Sequence, residues 1–147
     1  MSGVVCAIRG GPSSQGTILH AIRMAKDTGL PLYFLYVVNL DFLARTESSR
    51  TRVISKEMHE MGEFILCSAQ ATAEEHGLPA ECVVRHGEVT EEIIGLAQEL
   101  NADYIVLGRP EGVQEEDVFT LERLKQFGER LSKESGAEVV ITEREEE

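Results

Sequence analysis

Two short segments carry the residue types from which an anion site can be built: Ile8-Arg9-Gly10-Gly11 and Leu107-Gly108-Arg109-Pro110-Glu111-Gly112. Glycines let a backbone approach a ligand closely, and a guanidinium can grip a phosphate or carboxylate through two parallel hydrogen bonds. Each segment follows an apolar, β-branched run, so each lies where a strand gives way to a turn. Side by side, the two would line one crevice for an anion or a nucleotide. Taken singly, the same residues serve as ordinary structure. Gly10-Gly11-Pro12 is a good strand-to-helix turn, and Arg9 and Arg109 suit surface ion pairs worth roughly 0–1 kcal/mol each. Neither segment reads G-x-G-x-x-G or G-x-x-x-x-G-K-[ST], which argues against a dinucleotide or Walker site.

The remaining reactive side chains are scattered. Cys6, Cys67 and Cys82 have no C-x-x-C spacing, and an odd count does not suggest a disulfide framework. Cys6 and Cys82 stand inside apolar runs, where a thiol is expected to be a small buried hydrophobe. His20, His59, His76 and His86 lack metal-ligand spacing.

The elements that must position these residues are legible as alternating patterns. Val4–Ile8, Leu32–Val38, Cys82–Arg85, Tyr104–Leu107 and Val139–Thr142 are continuous apolar runs, as expected of strands covered on both faces of a parallel sheet. Four helical patterns separate them. The first opens with Ser13 or Ser14 as N-cap, carries Ile18, Ile22 and Ala25 on one face and stops at Gly29. The second runs from about residue 48 or 51 to 76, with Val53, Met61, Ile65, Ser68 and Ala69 on its inner face, and closes at Gly77. The third begins at Thr90, with two glutamates suited to the positive end of the helix dipole and Ile93, Ile94, Ala97 and Leu100 as its stripe. The fourth carries Leu121, Leu124, Gly128 and Leu131 and ends at Gly136; Gly128 would let it approach the sheet closely. The order β-α-β-α-β-α-β-α-β implies a parallel sheet with right-handed crossovers and helices on both faces. Ligands of such sheets bind beyond the carboxyl ends of the strands, where the strand order reverses.

Length and charge narrow the classes. The chain has 147 residues, 42% hydrophobic and 27% charged, which fits one domain over 1–142 with an acidic tail over 143–147. The formal net charge of −12 argues against nucleic acid and anionic membrane surfaces as partners. No run is long and apolar enough for a bilayer, and the first residues lack a secretory pattern, so a cytoplasmic location is expected.

In sequence order these segments resemble the universal stress protein family. Val4-Val5-Cys6-Ala7-Ile8-Arg9-Gly10-Gly11-Pro12-Ser13-Ser14 is similar to the family's opening strand, V-A-V-D-G-S with a serine near the helix start. Leu35-Tyr36-Val37-Val38 resembles its L-H-V-V second strand, and residues 84–94 its third strand, glycine and following helix. Ala97-Gln98-Glu99-Leu100-Asn101-Ala102-Asp103-Tyr104-Ile105-Val106-Leu107-Gly108 is the most specific stretch, similar to A-x-E-x-x-A-D-L-I-V-M-G. The resemblance implies an α/β fold of three layers, α/β/α, with a five-stranded parallel sheet of order 3-2-1-4-5, adenine nucleotide alpha hydrolase-like. It also implies a homodimer, here through the edge strand at Val139, Val140 and Ile141.

In ATP-binding members of that family, the strand-one aspartate and the backbone at the end of strand two contact the nucleoside. The phosphates lie against G-x-x-G, nine residues, then G-[ST], after strand four. Carried over, this implies Ala7, Ile8, Arg9 and Gly10 at the first exit, Val37 on the second strand, and Gly108, Arg109, Gly112 and Lys125 beyond the fourth. The chain departs from the pattern at three points. Arg9 replaces the aspartate, Gly108 and Gly112 give G-x-x-x-G, and the G-[ST] pair falls near Lys125-Gln126. Tight glycine turns are what cradle phosphate, and Glu111, Glu115, Glu116 and Asp117 would repel one, while Arg9, Arg109 and Lys125 would attract it. No residue offers a clear general base or Mg²⁺ site, with Asp41 and Glu111 left open. The expectation is a non-catalytic stress-response or regulatory domain with altered or vestigial nucleotide binding. The alternative is a protein that binds ATP, another adenine nucleotide or another phosphate ligand in the same crevice. A flavoprotein-like or hydrolase-like domain rests on fold analogy alone.

Overall fold

The computed structural model describes residues 3–9, 14–39, 49–108 and 118–142. Its strands are β1 (Val4–Ala7), β2 (Leu32–Val38), β3 (Ala80–His86), β4 (Tyr104–Gly108) and β5 (Glu138–Thr142). Between them run α1 (Ser14–Thr28), α2 (Ser49–Glu75), α3 (Val89–Leu100) and α4 (Val118–Ser135). All strand pairs are parallel, as the alternating pattern predicts, and the order is β3-β2-β1-β4-β5, as the family resemblance implies.

Strand alternation divides the core in two. Val4, Cys6 and Phe34 pack with Ile18, Ile22, Leu66 and Ala69 from α1 and α2. Val5, Leu35, Ile105 and Leu107 pack with Ile93, Ala97 and Leu131 from α3 and α4. The central strands are therefore covered on both faces. β3 is not: it is an edge, and Cys82 is exposed rather than the buried hydrophobe its apolar run suggests.

Helix ends follow local chemistry. Gly29 (φ 71°) and Gly136 (φ 78°) adopt the left-handed conformation that stops α1 and α4. The α1 helix already includes Ser14, so that residue is not its cap, and Ser13 lies outside the described residues. The N-cap of α3 is Glu88, whose carboxylate accepts from the Glu91 amide at 2.8 Å; Thr90 is already inside the helix. Burial works against charge on Glu88, but hydrogen bonds from the Glu91 and Thr90 amides outweigh it and hold the carboxyl below its ordinary range.

The inner face of α2 matches expectation at Ile65 and Ala69, which pack in the first core, and differs elsewhere. Val53 and Met61 are 56% and 57% exposed and Ser68 is exposed, whereas Gly62, Leu66, Ala69 and Ala73 face the sheet. Those four keep the three-and-four spacing of a buried stripe, rotated one residue from Met61. Gly62 lies against the Tyr36 ring, so close that a β-carbon there would come within 2.5 Å of Cδ1. On α4, Gly128 behaves as expected, its missing side chain facing Ile141 and Val139. Leu131 is buried, while the side chains of Leu121 and Leu124 lie outside the described ones.

At the amino end of the sheet, Asp103 ties three strands together. Its amide donates to the Gly3 carbonyl at 2.8 Å, its carboxylate accepts from the Gly3 amide at 3.1 Å, and its carbonyl accepts from Glu138 at 2.9 Å. The Ala-Asp of the most specific sequence stretch is thus a strand-alignment device, remote from the carboxyl ends.

Candidate functional site

The strand order reverses between β1 and β4, and their ends lie side by side, Ala7 opposite Leu107. This is the crevice position expected for the fold. β1 ends early. β2 continues through Tyr36, Val37 and Val38, which still pair with Val84, Arg85 and His86 of β3 but have passed the last β1 partner. Leu35 turns its carbonyl toward β1, accepting from the Ile8 amide at 2.9 Å. Backbone polar groups alternate along a strand, so the amide and carbonyl of Val37, two residues on, face the same side. They form a donor–acceptor edge beside the exit of β1, of the kind that pairs with a planar heterocycle.

The other wall is closed by hydroxyls. Thr17, in the first turns of α1, is 3% exposed, and its Oγ1 lies 2.9 Å from Oγ1 of Thr142 at the end of β5. Thr142 Oγ1 donates to the Leu107 carbonyl at 3.2 Å. Each hydroxyl has one proton, so Thr17 donates to Thr142 and Thr142 to Leu107. Gly108 sits against this chain: a β-carbon on it would lie 2.7 Å from Thr17 Oγ1. The absence of a side chain at Gly108 therefore admits α1.

The expected site residues separate accordingly. Ala7, Ile8, Val37 and Gly108 converge on the β1–β4 crevice, with Ile8 buried and Ala7 and Val37 partly buried against the second core. Arg9 is exposed immediately beyond β1. Lys125 is exposed on α4, one turn before Gly128. Gly10, Arg109 and Gly112 lie outside the described residues, as do Asp41, Glu111, Glu115, Glu116 and Asp117.

The crevice is asymmetric: among the described residues no strand pairs with β2 beside Val37, while Thr17 Oγ1 holds the position a β-carbon on Gly108 would need. Thr17 and Thr142 were not singled out by sequence reasoning. The available signal was a polar residue, Thr17, in phase with the buried Ile18, Ala21 and Ala25 side of α1.

Comparison with known proteins places this geometry. A family model described as the universal stress protein family matches residues 1–126. A universal stress protein of Methanocaldococcus jannaschii is 31% identical over 90 residues, which are 60% of this chain and 53% of that protein. The match thus spans about half the length of that curated relative. Among solved structures, a universal stress protein family member from Burkholderia pseudomallei superposes with a TM-score of 0.72 at 20% identity, covering 95% of each chain. A universal stress protein from Archaeoglobus fulgidus in complex with dAMP gives 0.64 at 17% identity, covering 96% of this chain and 97% of that one. Another, in complex with cAMP, gives 0.72 at 20%, covering 98% of each. At these identities the structural likeness speaks for the fold.

Proposed function

The chain belongs to the universal stress protein family, and from that premise we propose that it is a non-catalytic stress-response domain whose crevice takes the nucleoside end of an adenine nucleotide with altered phosphate recognition. The observation that carries this reading is the contrast between the two crevice walls. Among the described residues no strand pairs with β2 beside Val37 once β1 has ended, while Thr17 Oγ1 holds the position a β-carbon on Gly108 would need. The binding of dAMP and cAMP by two proteins of this fold supports the base-first reading, since both carry one phosphate.

The described residues at the strand exits contribute backbone amides, apolar side chains and threonine hydroxyls. Arg9, exposed where the family carries an aspartate, adds a positive group beside the nucleoside position. It favours an anion there and sustains the second reading, a different phosphate ligand in the same crevice. The protein acts as a homodimer in this proposal, pairing through β5. Isothermal titration with adenosine, AMP, ADP, ATP and inorganic phosphate tests the ligand reading. Binding of AMP and adenosine is expected, and binding of phosphate without adenosine would favour the second reading.

A further inference from the structure

Two stripes of reactive side chains face each other at the outer edge of the sheet, away from the crevice. On α2, His59, Glu63 and Cys67 recur at four-residue intervals, one face of a helix. On β3, Cys82, Val84 and His86 recur at two-residue intervals, one face of a strand. At one end the stripes touch. The His59 and His86 rings stack with centroids 5.0 Å apart, and Nδ1 of His59 is 2.8 Å from Nε2 of His86. Glu63 holds the other ring nitrogen of His59 at 3.0 Å.

This contact sets the register of the whole pair. α2 turns directly into β3 at Gly77, so the two run in opposite directions. From the histidines, the helix advances about 12 Å to Cys67 and the strand runs back about 13 Å to Cys82. The two thiols must therefore face each other at the far end. Contacts there agree: Cys82 Sγ donates to the Leu66 carbonyl oxygen at 3.4 Å. Peptide geometry puts that oxygen about 2.8 Å from the Cys67 α-carbon, so the Cys82 sulfur lies within roughly 6 Å of it. Cys67 and Cys82 are both exposed, and they line one cleft with Gln70 and Val84.

We propose that Cys67 and Cys82 form a reversible disulfide, made by exchange with a low-molecular-weight disulfide, that joins α2 to the edge strand β3. Cys67 is the attacking thiol. Cys82 is held as the thiol by its hydrogen bond to Leu66, and burial, followed by the neighbouring Cys67, pushes its pKa up. The Cys67 thiolate, its proton released to solvent, attacks one sulfur of R–S–S–R. That bond breaks, and the departing thiolate takes up a proton as RSH. Cys82 then loses its proton to solvent and attacks the Cys67 sulfur of the mixed disulfide, expelling the second RSH. Two protein thiols are oxidised by two electrons, and one small disulfide is reduced to two thiols. Cys6 takes no part, being buried at 0% exposure in the core.

The test is incubation of the full chain with oxidised glutathione, followed by non-reducing intact mass, maleimide labelling and peptide mapping. The expected product has lost two hydrogens, carries no glutathione, and yields a linked Cys67–Cys82 peptide. Cys82→Ser should stop at a glutathione adduct on Cys67, and Cys67→Ser should leave Cys82 essentially unmodified, both with the circular dichroism of the parent. The proposal is overturned if the parent chain retains glutathione adducts without a linked peptide, cross-links between chains, or does not react.

Discussion

At Gly108 the space a β-carbon would need is held by Thr17 Oγ1, itself fixed by its hydrogen bond to Thr142. Gly108→Ala should therefore cost about 1–3 kcal/mol as an overpacking change. Thr17→Ala removes the obstructing oxygen, so the two substitutions should couple. The Gly108→Ala penalty is expected to fall by at least half in the Thr17→Ala background, read from denaturant midpoints in a double-mutant cycle. Additive costs would mean the glycine serves something other than α1. Glycine after a strand could be read from sequence, but its reason could not, because the partner is 91 residues earlier and is brought there only by the β1–β4 pairing. The same limit hid the thiol pair: Cys67 and Cys82 share no motif spacing, and only the α2–β3 register places them together.

At the scale of elements, the strands and the glycine stops were legible because period and punctuation are local properties. The α2 face was legible only in part, at Ile65 and Ala69. Val53 and Met61 are the apolar choices by residue type, yet the sheet side consists of Leu66 among small residues, Gly62, Ala69 and Ala73. Small residues win because β2 presents Tyr36, whose ring needs the helix backbone close. Gly62→Ala tests this directly. Alanine improves intrinsic helix propensity by about 1 kcal/mol, so a change governed by propensity would raise the melting temperature. The packing account expects the opposite sign, a net loss of about 1–2 kcal/mol, and expects Phe64→Ala, 76% exposed on the same helix, to stay within about 0.5 kcal/mol.

For the whole molecule, the sheet order leaves two edges, β3 and β5. β5 presents the backbone of Val139 and Ile141 outward, because the Glu138 amide is already directed to β4, donating to Asp103. An unpaired edge invites pairing, and light scattering on the eluted protein should give a dimer at micromolar concentration. Val139→Pro removes an outward donor without touching the β4 ladder, so it should yield a folded monomer. A dimer that survives Val139→Pro but is lost on Phe64→Ser would move the interface to α2, which carries Val53, Met61 and Phe64 exposed.

In the proposed function the crevice recognises a nucleoside and gains little from a polyphosphate chain. An intact phosphate cradle would add several charge-assisted hydrogen bonds, each worth about 1.5–3 kcal/mol, and ATP would then exceed AMP in affinity by a hundredfold or more. Calorimetric titration of the full chain with AMP and with Mg·ATP at one salt concentration measures that difference. Dissociation constants within about tenfold of each other, or about 1.4 kcal/mol, are expected. ATP binding a hundredfold tighter than AMP, or no binding by either, would contradict it.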